Sequence, residues 1–181
     1  GKGITECQEA AKITQLVKQG IFEINRLARG LTPIALENVS LIPALAEAAA
    51  HVTTFFGVNC VFECKGGEIP LDPKRDVNLY YIAQEAINNA IRHGKAKQIK
   101  VKLEISPKRS KEITLSISDN GMGLPKSFEK REGMGLRIMK YRAGLIGGTL
   151  DIRSGAAGTV LVCSVKGVVQ PLGEDGSTQS G

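Results

Sequence analysis

The stretch from Asp72-Pro73 to His93 reads as one helix whose two faces cannot share an environment. At about 100° per residue, Leu79, Ala83, Ala86, Ile87 and Ala90 fall on one arc, which has to be buried. Glu85, Asn88, Asn89, Arg92 and His93 fall on the opposite arc. That arc holds two amides, a carboxylate, a guanidinium and an imidazole, and no lysine. Amide and carboxylate oxygens suit a hard cation such as magnesium, and an Arg and a His one turn on suit phosphate oxygens. Taken alone, the same arc also reads as an ordinary solvated face.

The rest of the chain supplies what the apolar arc packs on. A helix is expected from about Leu41 to Phe56, with Ser40 as N-cap. Strands are expected at 58–64, 97–105, 112–119, 149–154 and 158–166, and a shorter helix at 136–146. Polar turns join the neighbouring strands, so the fold class is α+β: a two-layer sandwich of helices on a mixed, mainly antiparallel sheet. Upstream, residues 4–29 read as a long helix. Val17, Ile21, Ile24, Ala28 and Leu31 alternate spacings of four and three, a bundle seam that Ile13, Leu16 and Leu27 widen. The expected division is 1–33 for this bundle helix, 34–167 for the sandwich, and 168–181 for a disordered tail rich in Gly, Ser and Thr.

Composition removes several classes. No apolar run reaches the roughly 18 residues of a membrane span, since Glu47 and His51 interrupt Ile42–Val58. The chain opens on Gly1 with no signal peptide visible, which points to a processed protein or an excised piece. Four cysteines form no CxxC, and with two histidines they cannot complete a zinc-finger spacing, so reduced thiols are expected. The net charge is +6, densest at Lys95, Lys97, Lys100 and Lys102, which reads as a solvated basic strand edge. With aromatics at 4% and no Trp, base-stacking platforms are scarce, and no nucleic-acid partner is expected.

Two glycine motifs follow the amphipathic helix in order. The strand at 112–118 runs into Asp119-Asn120-Gly121-Met122-Gly123, a carboxylate followed by glycines that let backbone approach a ligand. Ten residues after Gly123, Gly133-Met134-Gly135-Leu136 opens a helix whose first amides suit phosphates. Neither completes a Walker A loop or GxGxxG. Together, QEAINNAIRH (84–93), DNGMG (119–123), GMGL (133–136) and the closing Gly158-Thr159 resemble the ATP-binding domain shared by histidine kinases, gyrases and certain chaperones, with the Bergerat-type fold. The likeness spans about Leu41 to Val165. GMGLRIMKYRAGLIGGTLDIRS looks like the short-lid subfamily of sensor histidine kinases, and LARGLTPIALE resembles that subfamily's join between dimerisation helices and catalytic domain.

The resemblance implies roles for individual residues. Asn89 would hold a magnesium ion, and Glu85 stands where related ATPases place their water-activating acid, here a catalyst or a ligand orienter. Asn88 belongs to the same binding face, and Arg92 and His93 would approach the phosphates. Asp119 would accept the adenine amino group, Gly121 and Gly123 would admit the base, and Thr159 would support it. Gly133, Gly135 and Leu136 would border the phosphates beside a short basic lid at Leu124–Glu132, whose mobility would keep nucleotide affinity modest. The cofactors implied are ATP and Mg2+.

The family's phosphoacceptor is a histidine on the first dimerisation helix, in this subfamily followed by an acid. His51 precedes Val52 and His93 precedes Gly94, so neither fits, and the acceptor is expected upstream of Gly1. The implied partners are that acceptor helix, a response regulator, and a second copy through the N-terminal helix. The implied location is cytoplasmic, in a parent that membrane segments could anchor. Two other readings of the motifs stand beside this one: an anti-sigma-type serine kinase that switches partners, and a gyrase-type ATPase module. A dimerisation module with a relic site is a further alternative.

Overall fold

The computed structural model describes residues 40–66, 72–106, 112–124 and 133–166. The bundle helix expected within 1–33, all of the lid expected at Leu124–Glu132 except Leu124, and the tail at 168–181 lie outside the described residues.

Eight elements follow one another: α1 (Leu41–Phe56), β1 (Asn59–Lys65), α2 (Pro73–Arg92), β2 (Gln98–Ile105), β3 (Ile113–Asp119), α3 (Met134–Leu145), β4 (Gly148–Gly155) and β5 (Gly158–Val165). The strands form one sheet in the order β1-β2-β3-β5-β4. β1 runs parallel to β2, and the other three pairings are antiparallel. The α+β sandwich expected from the sequence is what the chain forms.

Helix ends follow local chemistry. Pro73 occupies the start of α2, where a missing N–H costs nothing, and the Asp72 carboxylate accepts from Arg75 N at 3.1 Å. α1 ends on Gly57, left-handed at φ 63, whose N–H donates to the Thr53 carbonyl. Ser40 sits at the N-cap of α1, but its side chain makes no capping hydrogen bond. Helix α3 starts at Met134, two residues before the expected position. Gly133 is therefore its N-cap and Gly135 lies in its first turn.

One core joins the layers. In-register rows Val101↔Ile117↔Leu161 and Leu103↔Leu115↔Cys163 face the helices. Leu41, Leu45, Leu79 and Ile82 reach them from α1 and α2 and are fully buried. Each such side chain contributes about 1.5–3 kcal/mol through burial. The opposite sheet face carries Lys100, Lys102, Ser116 and Ser118. Of the lysine run, Lys100 and Lys102 are thus not at a sheet edge, because β2 lies between β1 and β3, and Lys95 and Lys97 precede the strand. Lys100 pairs with Glu63 at 2.7 Å and Lys102 with Glu104 at 2.8 Å.

The first half of α2 also buries polar groups that the arc pattern does not announce. Arg75 and Asp76 pair at 2.9 Å out of water, and burial raises the Asp76 carboxyl pKa despite the neighbouring guanidinium. Asn78 accepts from Arg142 Nη1 at 3.2 Å, and the same guanidinium lies 4.2 Å from the centroid of the Tyr81 ring. These contacts clamp α3 on α2 and fix the gap between them.

Candidate nucleotide site

The C-terminal half of α2, the end of β3, the start of α3 and the start of β5 converge on a cavity of about 730 Å³. That volume lies within the ordinary range for small-molecule sites. Helix α2 contributes Glu85, Asn88, Asn89, Arg92 and His93; the sheet contributes Ile117, Asp119, Ile152, Thr159 and Leu161; α3 contributes Leu136 and Met139. Gly123, Gly133 and Gly135 also line it. Of the residues given a binding or catalytic role from the sequence, all line this cavity except Gly121, which donates its N–H to Asp119 Oδ1 at 2.7 Å.

The predicted polar arc is real and graded. Ala83, Ala86, Ile87 and Ala90 are buried, Glu85, Asn88 and Asn89 are half-buried at the cavity, and Arg92 and His93 are exposed at its mouth. Half-burial suits groups that meet a ligand, since the groups keep water until the ligand replaces it. Gly135 explains part of the arrangement. A Cβ there would overlap Glu85 Oε1, so the glycine lets the carboxylate rest against the first turn of α3. Among the described residues Glu85 has no hydrogen-bond or ion-pair partner.

Asp119 is held from behind. Its Oδ1 accepts from Gly121, and among the described residues it receives no other hydrogen bond. Asn120 next to it accepts at Oδ1 from Lys97 N and Gln98 N, both at 2.9 Å, while Met122 N donates to Gly94 O at 2.8 Å. These bonds tie the strand end to the α2–β2 connection. On the other side, Leu124 N donates to Ser154 Oγ at 2.6 Å. The Ser154 hydroxyl also lies 3.4 Å from that of Thr159. Asn120 and Ser154 are supports that the sequence reading missed. The partners through which they tie the loop, Lys97, Gln98 and Leu124, lie 22–30 residues away, so no local pattern marks these bonds.

Gly158 packs closely against the backbone of Asp119. It adopts φ +118, and a Cβ there would run into the Asp119 carbonyl oxygen. Gly158→Ala is therefore expected to lower stability by about 1–3 kcal/mol and to displace Asp119. A denaturant melt with a wild-type midpoint would contradict this.

The donor set fits a magnesium–phosphate pair. Among the described residues no cluster of three His, Cys, Asp or Glu forms a protein-only metal cage. Asn89 and Glu85 do line the cavity, and Glu85 Oε1 lies close to the first turn of α3. Magnesium characteristically takes few protein oxygens together with water and phosphate.

The family described as histidine kinase-, DNA gyrase B-, and HSP90-like ATPase matches residues 75–167, which contain all of these groups. The chain belongs to this ATPase family. Relatives point the same way. Sensor histidine kinase MctS of Rhizobium johnstonii is 35% identical over 144 residues, 78% of this chain and 31% of that protein. The signal transduction histidine-protein kinase/phosphatase DegS of Brevibacillus brevis is 30% identical over 166 residues, 91% of this chain and 42% of that protein. This ATPase-family chain thus spans 31% to 42% of the length of these relatives. In fold it is similar to the histidine kinase domain of the Erythrobacter litoralis EL346 blue-light activated kinase, with a TM-score of 0.57 and 17% identity over 70% of this chain and 65% of that one. The ATP binding domain of PrrB from Mycobacterium tuberculosis gives 0.54 and 24% over 72% and 96%.

Proposed function

We propose that this chain is the ATP-binding catalytic part of a two-component sensor histidine kinase. It binds ATP with magnesium and transfers the γ-phosphoryl group to a histidine imidazole on an upstream helix, for relay to a response regulator. The observation that carries this reading is the single cavity in which a fixed carboxylate, Asp119, shares walls with the amide-rich face of α2 and the first turn of α3.

Each part has a task. Asp119 accepts from the adenine amine, with Ile117 and Leu161 against the base, Gly121 and Gly123 admitting it and Thr159 supporting it. Asn89 holds the cation; Asn88, Arg92 and His93 meet phosphate oxygens, as do the amides of the Gly133–Leu136 turn. Bound magnesium would neutralise charge between the phosphates. Glu85 orients the phosphate end, because the base that readies the acceptor histidine belongs beside that histidine. In the transfer, an imidazole nitrogen forms a bond to γ-phosphorus as the bond to the β-phosphate oxygen breaks, and ADP leaves with that electron pair. Catalysis of this kind is positioning and electrostatics.

Residues 1–33 fit a dimerisation helix, and a cytoplasmic setting fits the ATP supply. No helix among the described residues is long and apolar enough to cross a membrane. The test is γ-labelled ATP with an acceptor helix supplied in trans. Label on the acceptor histidine, stable to base and lost in acid, is the expected result. Label on serine would favour the partner-switching kinase, and phosphate release alone would favour the ATPase module.

A further inference from the structure

The chain contains three methionines, and all three line the nucleotide cavity. Met139 is buried in its floor at 3% exposure, but Met122 and Met134 stand at the rim, 64% and 79% exposed. Exposed thioethers at a site mouth are unusual places for apolar groups, and both are fixed by backbone. Met122 lies in the Asp119 loop with its N–H bound to the Gly94 carbonyl, and Met134 is the first residue of α3 after its Gly133 cap.

We propose that Met122 and Met134 are sites of reversible peroxide modification, and that their oxidation weakens nucleotide binding. This rests on the nucleotide reading of the cavity. The chemistry balances simply: the thioether sulfur attacks a peroxide oxygen, a sulfur–oxygen bond forms as the O–O bond breaks, and hydrogen peroxide leaves as water. Sulfur gives up two electrons and peroxide takes them.

Two of the three cysteine sulfurs among the described residues are poorly placed to compete. Cys60 and Cys163 are buried, and burial pushes both thiols up to about 11. Cys64 is exposed and lies on β1, away from the cavity lining, so its oxidation is told apart by peptide mass. The thiolate is the reactive form, so the buried Cys60 and Cys163 react slowly near neutrality. Thioethers need no deprotonation, and two of them are in water.

The consequence follows from what a bound nucleotide covers. Each sulfoxide adds a polar oxygen to a rim that a seated base and ribose shield from water, and a polar group shielded without a partner weakens binding. Sulfoxide reductases return the thioether and with it the affinity.

The experiment treats the chain with hydrogen peroxide, removes it, locates added oxygen by peptide mass, and titrates a non-hydrolysable ATP analogue with magnesium before and after. The expected result is one oxygen on each of Met122 and Met134, an unchanged melting temperature, and affinity about tenfold weaker. Methionine sulfoxide reductases restore it. Whatever its starting affinity, the double variant Met122→Leu, Met134→Leu keeps that affinity through the treatment. The proposal is overturned by equal affinity in fully oxidised protein, by an equal loss in the double variant, by rim methionines that stay unoxidised, or by loss of the cooperative melt. Absence of binding before treatment overturns the nucleotide reading itself, which separates the two failures.

Discussion

Asp119→Asn is expected to weaken ATP binding by roughly 10- to 100-fold, because a hydrogen bond to a charged group contributes about 1.5–3 kcal/mol. It should also remove most of the preference for ATP over GTP. The carboxylate has acceptors on both sides. One oxygen takes the Gly121 N–H at 2.7 Å, and the other remains for the exocyclic amine of adenine. An amide has one acceptor and one donor. If its oxygen stays on Gly121, its NH2 faces the adenine amine, donor to donor. If it flips, the NH2 faces the Gly121 N–H. Guanine presents a carbonyl at the same position, which opposes the wild-type carboxylate and accepts from the variant's NH2. Calorimetry with ATP and GTP analogues reads both effects, and wild-type affinity and selectivity would show that the base is read elsewhere.

Asn89→Ala is the second large effect. Magnesium-dependent binding of an ATP analogue should fall at least about tenfold, while the melt shifts by less than about 1 kcal/mol. The separation has a structural reason. The Asn89 side chain is half-buried at the cavity, and the residue's structural bonds are made by its backbone carbonyl, which accepts from His93 N and Gly94 N, both at 2.9 Å. Alanine keeps that carbonyl and favours helix. Unchanged affinity would remove Asn89 from the metal role, and a collapsed melt would give it a structural one.

The two faces of α2 were legible because a helix of 20 residues repeats its pattern often enough to be unambiguous. Leu79, Ala83, Ile87 and Ala90 are buried where the 3.6-residue period puts them. The boundaries of α1 were equally plain, with Ser40 before it and Gly57 after it. The start of α3 was not. Gly133 and Gly135 flank Met134, and glycine is a poor helix former, so the periodic signal begins only at Leu136. Gly135 serves the site rather than the helix, since a Cβ there would push the Glu85 carboxylate from its place.

Long-range relations left no local trace. Nothing near Asn59 announces that β1 pairs in parallel with β2 across the whole of α2. The arc pattern gives no sign that Arg75, Asp76 and Asn78 are buried, and Asn78 reaches Arg142, 64 residues on. Met122 and Met134 each sit between glycines in the sequence, and only the assembled cavity shows them on a common rim.

The most direct measurement of the central claim is titration calorimetry of this chain with a non-hydrolysable ATP analogue, with and without magnesium, and with a GTP analogue as control. The account predicts binding that needs magnesium, prefers adenine and has the modest affinity expected of a site open at its rim. A folded chain that binds neither nucleotide, or binds both equally without regard to magnesium, would contradict it.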